Sequence, residues 1–325
     1  MTGRQELDDD NIKRIERKLK GLPQYMTDYY YSLESKTAAT SYRYISKVAT
    51  FLNYIKKEFN VDVDNERNLC NIKPLMISRY LKDEIKGEGS AKATVYYAIR
   101  NFFRFVVAND IILVNPTDKV EAPRDTKMHE ITYLTPGEIR LIASRIEMNL
   151  GESDSIKLTY TTRRNLAIFY MLVFTGLRVS SVVGLNVEDI DFEKNQIRIV
   201  EKGNKTRYIK MSSVLADTLK KYMDGWFYKK FKDETNVLFM SINGSRMHQQ
   251  DVYRMLKNYT TDFDKKISPH KLRSTYATTA IKKTKNIYLV SKQLGHSDVK
   301  TTSRYAAIDD EMQQEAASVM DDILG

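Results

Sequence analysis

Three short segments in the second half of the chain carry residues whose types and spacing suit work on a phosphate. Thr175-Gly176-Leu177-Arg178-Val179-Ser180 sets an arginine beside a glycine turn, just after the apolar run 164–174. A guanidinium withdrawn from water there needs an anion, which is either an internal carboxylate or a phosphate held for reaction. His270-Lys271-Leu272-Arg273 follows Ser268-Pro269. The i, i+3 spacing puts His270 and Arg273 on one helix face, and the preceding proline puts them in a first turn, where the dipole and free N–H groups favour an anion. Read alone, the pair also fits a surface basic turn. The third segment is Leu294-Gly295-His296-Ser297-Asp298, with Tyr305 nine positions beyond the histidine. The chain has 21 tyrosines, so only the company it keeps sets Tyr305 apart.

Taken together and in order, these segments resemble the tyrosine recombinase (phage integrase-like) family. That family's pattern is an arginine in TGLR-S, a lysine in a β-hairpin, an HxxR pair, a GH, and a tyrosine nine residues on. The matching positions are Arg178, Lys202, His270 with Arg273, Gly295 with His296, and Tyr305. The resemblance covers about 133–308 directly. Lys202 and Lys205 share one turn; Glu201-Lys202-Gly203-Asn204 matches the family's GKGN-like pattern, which selects Lys202. The chain departs from the pattern at Ser181, where many members carry an acid. That acid supports the site in the family, so the change bears on packing around Arg178 and removes no reacting group.

The resemblance implies metal-independent cleavage of a DNA phosphodiester. Arg178 and Arg273 would clamp the non-bridging oxygens, where charge grows in the transition state. Tyrosine, with a pKa near ~10, is a poor nucleophile until its proton is taken. His270 is then the general base, Lys202 the general acid for the leaving 5′-oxygen, and His296 the group that positions the phosphate. The product is a 3′-phosphotyrosyl link that conserves the bond energy, in keeping with a chain that shows no phosphate-loop motif. With four histidines and no carboxylates at ligand spacing, no metal and no other cofactor is expected. A type IB topoisomerase shares this chemistry, and a catalytically silent helical DNA-binding protein shares the fold. Within recombinases, integration of a mobile element and Xer-like dimer resolution both stay open.

The elements that must position these groups are mostly helical. Apolar residues recur at helical spacing in 37–59 (Tyr44, Val48, Phe51, Leu52, Ile55), in 74–86, and in 91–109 (Val95, Ile99, Phe102, Phe103, Val106). Gly87-Glu88-Gly89-Ser90 reads as a turn, with Ser90 or the residues just after it as a cap. Lys92, Arg100 and Arg104 on 91–109, together with Lys205, are candidate DNA contacts. Residues 115–131, polar with two prolines, read as a linker. Thr135-Pro136-Gly137-Glu138 is a capping box. Gln196–Val200 and Thr206–Met211 alternate as strands around Lys202-Gly203-Asn204-Lys205. Helices are expected over 212–230, 249–259, 270–283 and 286–293.

The expected fold is therefore mainly α with a small β-hairpin or sheet. It comprises an N-terminal extension 1–21, a helical domain 22–114 like the family's core-binding domain, a linker 115–131, a catalytic domain 132–308 and a C-terminal helix 309–325. The resemblance implies a two-domain, C-shaped clamp on DNA. Residues 1–21 are too short for an extra arm-binding domain.

Composition bounds the partners. At 42% hydrophobic and 29% charged over 325 residues, the chain reads as globular. The formal charge of +10 favours a polyanion such as double-stranded DNA. Residues 309–325 hold six acids and no Lys or Arg, so that tail is not expected on DNA. Its apolar positions Met312, Ala316, Val319, Met320, Ile323 and Leu324 suit docking into a neighbouring protomer, as the resemblance implies, or packing on its own domain. The resemblance also implies a homo-oligomer, a tetramer on two DNA sites, with room for accessory proteins. The single cysteine, Cys70, excludes an internal disulfide. No secretory signal or membrane span is read, and a cytoplasmic location is expected.

Overall fold

A computed structural model describes residues 3–87, 89–124, 132–148, 155–200, 206–231, 234–295 and 302. The chain divides into two units, Gly3–His129 and Glu130–Gly325.

The first unit is helical: α1 (Gly3–Leu19), α2 (Gln24–Ser32), α3 (Ala38–Phe59), α4 (Pro74–Arg79) and α5 (Gly89–Ala108). Thr37 starts α3, its hydroxyl accepting the Thr40 amide at 3.3 Å, and Asn60 in the left-handed region ends it. The apolar stripes meet as expected. Val48, Phe51, Leu52 and Ile55 of α3 are buried with Val95, Ile99, Phe102, Phe103 and Val106 of α5, each large side chain contributing ~1.5–3 kcal/mol. Phe51 and Phe103 meet edge to face at 6.3 Å. The run expected over 74–86 is α-helical only to Arg79 and continues as a wider π turn, Tyr80–Glu84. The last helix begins at Gly89, one residue before the expected cap Ser90.

Two expected boundaries change. Residues 1–21 are not a bare extension: α1 packs on α3 and contributes the fully buried Ile15 to the core. Residues 115–120 are not linker. The Asn115 carboxamide oxygen accepts the Thr117 amide and hydroxyl at 2.9 and 2.6 Å, and Pro116–Lys119 form a 3-10 turn. The buried Tyr96 hydroxyl lies within hydrogen-bond distance of the carbonyls of Thr117 (3.2 Å) and Val120 (3.3 Å). Polar and proline content, which reads as linker, here builds a capped turn sealing the first unit.

The second unit contains α6 (Pro136–Met148), α7 (Ile156–Thr175), α8 (Val179–Val183), β1 (Ile190–Asp191), β2 (Gln196–Val200), β3 (Thr206–Lys210), α9 (Ser213–Met223), α10 (Trp226–Phe231), α11 (Gln249–Tyr259), α12 (Pro269–Thr284) and α13 (Ile287–Leu294). The capping box forms: the Thr135 amide donates to Glu138 at 2.7 Å, and the Glu138 amide to the Thr135 hydroxyl at 3.2 Å. The central apolar helix α7 is longer than 164–174, because Ser155 caps it through the Leu158 amide. It buries Ala167, Ile168, Phe169, Met171 and Leu172. It also buries Arg164, 8% exposed, whose guanidinium donates to the Met240 carbonyl at 3.0 Å and the Asn165 oxygen at 3.1 Å. These neutral acceptors and the Tyr160 ring, 5.7 Å away, offset its lost hydration.

The expected single helix over 212–230 breaks at Asp224-Gly225 into α9 and α10. The sheet is antiparallel in the order β1-β2-β3, with Val200 opposite Thr206 and Ile199 opposite Arg207. Ile197, Ile199 and Ile209 face inward. The fold is thus mainly α with one small sheet. Among the described residues, no helix is long and apolar enough to cross a membrane.

Candidate functional site

The end of α7 sets up the first segment. Thr175 turns its hydroxyl back to the Met171 carbonyl and accepts the Leu177 amide at 3.2 Å. Gly176 follows at φ +62°, donating its amide to Leu172 at 3.1 Å. The position requires glycine on two counts. An L side chain is strained at that φ, and a Cβ there would collide with the Tyr276 ring and stand 2.9 Å from Leu294 Cδ2. Arg178 then begins α8, its carbonyl accepting the Ser181 and Val182 amides at 2.9 and 3.1 Å. The Arg178 side chain is exposed. It is not the buried guanidinium that its place after an apolar helix implies, because the glycine turn carries the chain out of the core. Ser181 is half-buried one turn into the same short helix.

The second segment starts α12. Ser268 caps it by accepting the Lys271 amide at 3.3 Å, with Pro269 first in the helix. His270 is exposed in the first turn, and its carbonyl accepts the Ser274 hydroxyl at 3.0 Å. One turn on, Arg273 is 3% exposed. Its Nη1 donates to the Gly176 carbonyl at 2.6 Å and its Nη2 to the Leu294 carbonyl at 2.9 Å. Both carbonyls lie at helix C-termini, where acceptors lack helical partners and the dipole favours a cation.

This one guanidinium ties together all three motif segments. It bonds two residues before Arg178 and two before His296. Gly295, at φ +66°, ends α13 between them. The structure therefore brings Arg178's turn, Arg273 and Leu294-Gly295 into one cluster, with His270 one helical turn before Arg273. Lys202, Lys205, His296 and Tyr305 lie outside the described residues. Thr302, three before Tyr305, is fully buried.

Residues around the cluster hold it in place. The Leu134 amide donates to the Thr275 hydroxyl at 3.0 Å, and Thr275 in turn donates to the Lys271 carbonyl at 2.9 Å. The Lys271 ammonium meets the Thr132 hydroxyl. Burial, then Lys265 nearby, lowers the Lys271 pKa. Lys265 itself bonds Glu138 at 2.7 Å. Burial alone would raise Glu138, but Lys265 and the Thr135 amide and hydroxyl together hold it below the usual carboxylate range.

Sequence reasoning passed over Arg207, Tyr276 and Gln293. Arg207 Nη1 donates to the Gln293 carbonyl at 2.5 Å, and the Tyr276 hydroxyl to the Gln293 side chain at 2.5 Å. Burial raises the Tyr276 pKa, opposed by Arg207. Strand alternation held a signal: Arg207 shares the inward face of β3 with Ile209, an unusual place for a cation.

The candidate DNA contacts of the first unit lie on α5. Arg104 is exposed and Lys92 half-buried. Arg100 is paired with Asp118 at 3.2 Å, so part of its charge is already answered within the fold.

A model of the family described as "Phage integrase family" matches residues 147–312. The chain belongs to that family, the tyrosine recombinases. A tyrosine recombinase of Pseudothermotoga lettingae is 27% identical over 300 residues, covering 90% of this chain and 96% of that protein. Tyrosine recombinase XerD of Oceanobacillus iheyensis is 30% identical over 237 residues, covering 69% and 74%. Among solved structures, XerH site-specific recombinase bound to palindromic difH substrate superposes with a TM-score of 0.68 at 20% identity, covering 97% and 90% of the two chains. A lambda integrase dimer bound to a COC′ core site gives 0.64 at 18%, covering 91% and 80%. These likenesses establish the fold, and the family match establishes a tyrosine-type site-specific DNA recombinase.

Proposed function

We propose that this recombinase cuts and rejoins double-stranded DNA at specific sites, with Tyr305 as nucleophile. The observation that carries the reading is Arg273. Its guanidinium links the turn leading to Arg178 with the turn leading to His296, as a single phosphate pocket built from three sequence-distant segments requires. Tyr305 Oη bonds to the scissile phosphorus while its proton passes to His270. Arg178 and Arg273 stabilise the charge on the non-bridging oxygens, and His296 positions the phosphate. The P–O5′ bond breaks, and Lys202 supplies the proton for the departing 5′-oxygen. A 5′-hydroxyl from a partner strand then reverses the sequence.

Arg273 can serve both scaffold and phosphate, because a guanidinium carries five N–H donors. The duplex would be held mainly through phosphate contacts, with Lys92, Arg104 and Lys205 among them. We place the enzyme in the cytoplasm, assembling as a tetramer on two sites. The lambda integrase relative has been seen as a tetramer bound to a Holliday junction. The C-terminal residues 309–325 would dock on a neighbouring protomer. The role would be either mobile-element integration or Xer-like dimer resolution.

A nicked suicide substrate tests the reading. The wild-type protein should form a covalent protein–DNA adduct, and Tyr305→Phe should form none. Absence of any adduct on cognate DNA would favour a silent DNA-binding protein. An adduct that persists in Tyr305→Phe would overturn Tyr305 as the nucleophile.

A further inference from the structure

We infer that Arg207 is a positioning residue for the general acid, a claim that rests on the reading of Lys202 given above. β1 pairs only with the far end of β2, Ile190 opposite Ile197 and Asp191 opposite Gln196. From Arg198 to Val200 and from Thr206 to Tyr208 the sheet is a ribbon of two strands. Such a ribbon is marginal by itself and needs packing or an anchor to hold one pose. At the end away from the turn, β1 widens the sheet to three strands, and the Met211 amide extends the β2–β3 ladder to the Asn195 carbonyl at 2.8 Å. Towards the turn, Ile199 packs inward and Arg207 ties the ribbon to the end of α13. Arg207 stands opposite Ile199 and donates to the Gln293 carbonyl at 2.5 Å.

The anchor point is informative. Gln293 and Leu294 are the last residues of α13, and their successive carbonyls each accept from an arginine, Arg207 and Arg273. One arginine comes from the hairpin that carries Lys202 in sequence. The other comes from the helix that carries His270. The end of α13 is therefore the joint at which the acid-bearing ribbon is registered against the phosphate-binding cluster. Tyr276 stiffens that joint by holding the Gln293 side chain. Arg207 touches no reacting atom in this scheme. It sets where the ribbon that delivers the leaving-group proton can stand.

A sulfur leaving group separates this role from a merely structural one. Replacing the scissile 5′-bridging oxygen with sulfur gives a thiolate leaving group, with a conjugate-acid pKa near ~8.5. It departs without a proton donor, so a defect in delivering the acid is repaired and a defect in the phosphate cluster is not. Single-turnover cleavage of the two nicked substrates would be compared for wild type, Lys202→Ala, Arg207→Ala and Arg207→Lys, at saturating protein. Arg207→Ala should cleave the all-oxygen substrate at least ~10-fold more slowly than wild type. Its deficit should shrink to within ~3-fold on the sulfur substrate, with Arg207→Lys intermediate. An equal deficit on both substrates, or no deficit on oxygen, overturns the inference. If Arg207→Ala does not fold, Arg207→Lys is judged by the same two criteria. If sulfur fails to rescue Lys202→Ala, the general-acid reading falls. If it rescues Lys202→Ala but neither Arg207 variant, only the inference falls.

Discussion

Replacing Gly176 with alanine should damage the cluster from its centre. Two costs add. Holding a non-glycine residue at φ +62° costs about 1 kcal/mol. The new Cβ also meets the Tyr276 ring and lies 2.9 Å from Leu294 Cδ2. Both neighbours are packed, and relieving such overpacking costs roughly 1–3 kcal/mol. The expected loss is therefore about 2–4 kcal/mol. For a unit of this size that lowers Tm by roughly 5–15 °C. Moving Tyr276 also strains its bond to Gln293, and moving the Gly176 carbonyl displaces an acceptor of Arg273. Cleavage of a suicide substrate at a temperature where the variant is folded should consequently fall by at least ~10-fold. The assay is a thermal melt paired with single-turnover cleavage, run as a double-mutant cycle with Tyr276→Ala. The double variant should lose at least about 1 kcal/mol less than the sum of the singles, because removing the ring removes a clash. Additive losses, or a Gly176→Ala protein with wild-type Tm and rate, would refute the argument.

Other expectations are more local. Arg273→Lys should lower stability by about 1–3 kcal/mol and cleavage by at least ~100-fold, since an ammonium cannot reproduce a guanidinium's planar fork across two carbonyls; melting and adduct yield read the two effects. Glu138 contributes stability that is present above the ordinary carboxylate pKa and lost as pH falls through its depressed value. Glu138→Gln should thus lower Tm at neutral pH, with the gap to wild type closing as pH falls below the ordinary carboxylate range, as melts across pH will report. Arg104→Ala should weaken DNA binding and reduce the salt slope by about 1, whereas Arg100→Ala, already paired with Asp118, should change the slope less. Deleting 312–325 should weaken cooperative assembly on DNA in gel-shift titrations while leaving single-site binding in place.

Much of the molecule could be read from residue order because its local signals agreed with its packing. Helices α3, α5, α11 and α13 carry clear apolar periods, α12 is marked by Ser268-Pro269 at its start, and all five lie where expected. Arg273 and the turn leading to Arg178 fall on one cluster because the helix ends that bear them converge. What escaped the sequence depends on partners distant along the chain. Ile15 looks ordinary in a charged segment until α3 covers it. Asn115-Pro116-Thr117 reads as linker because its stabilising bonds run from Asn115 to the next residues and from Tyr96 far upstream. Strand alternation turns Arg207 inward, but its partner could not be read because the acceptor is a backbone carbonyl 86 positions away, and carbonyls carry no sequence signature.

That last feature also bears on how the cluster responds to genetic change. Arg273 and Arg207 are both received by main-chain oxygens, so no substitution at Gly176, Gln293 or Leu294 can delete an acceptor. A saturation screen would score those three positions by what their side chains do and stay blind to their carbonyls. Exposing that contribution takes backbone chemistry, such as an amide-to-ester replacement after Leu294 that leaves every side chain intact and makes the receiving oxygen a weaker base.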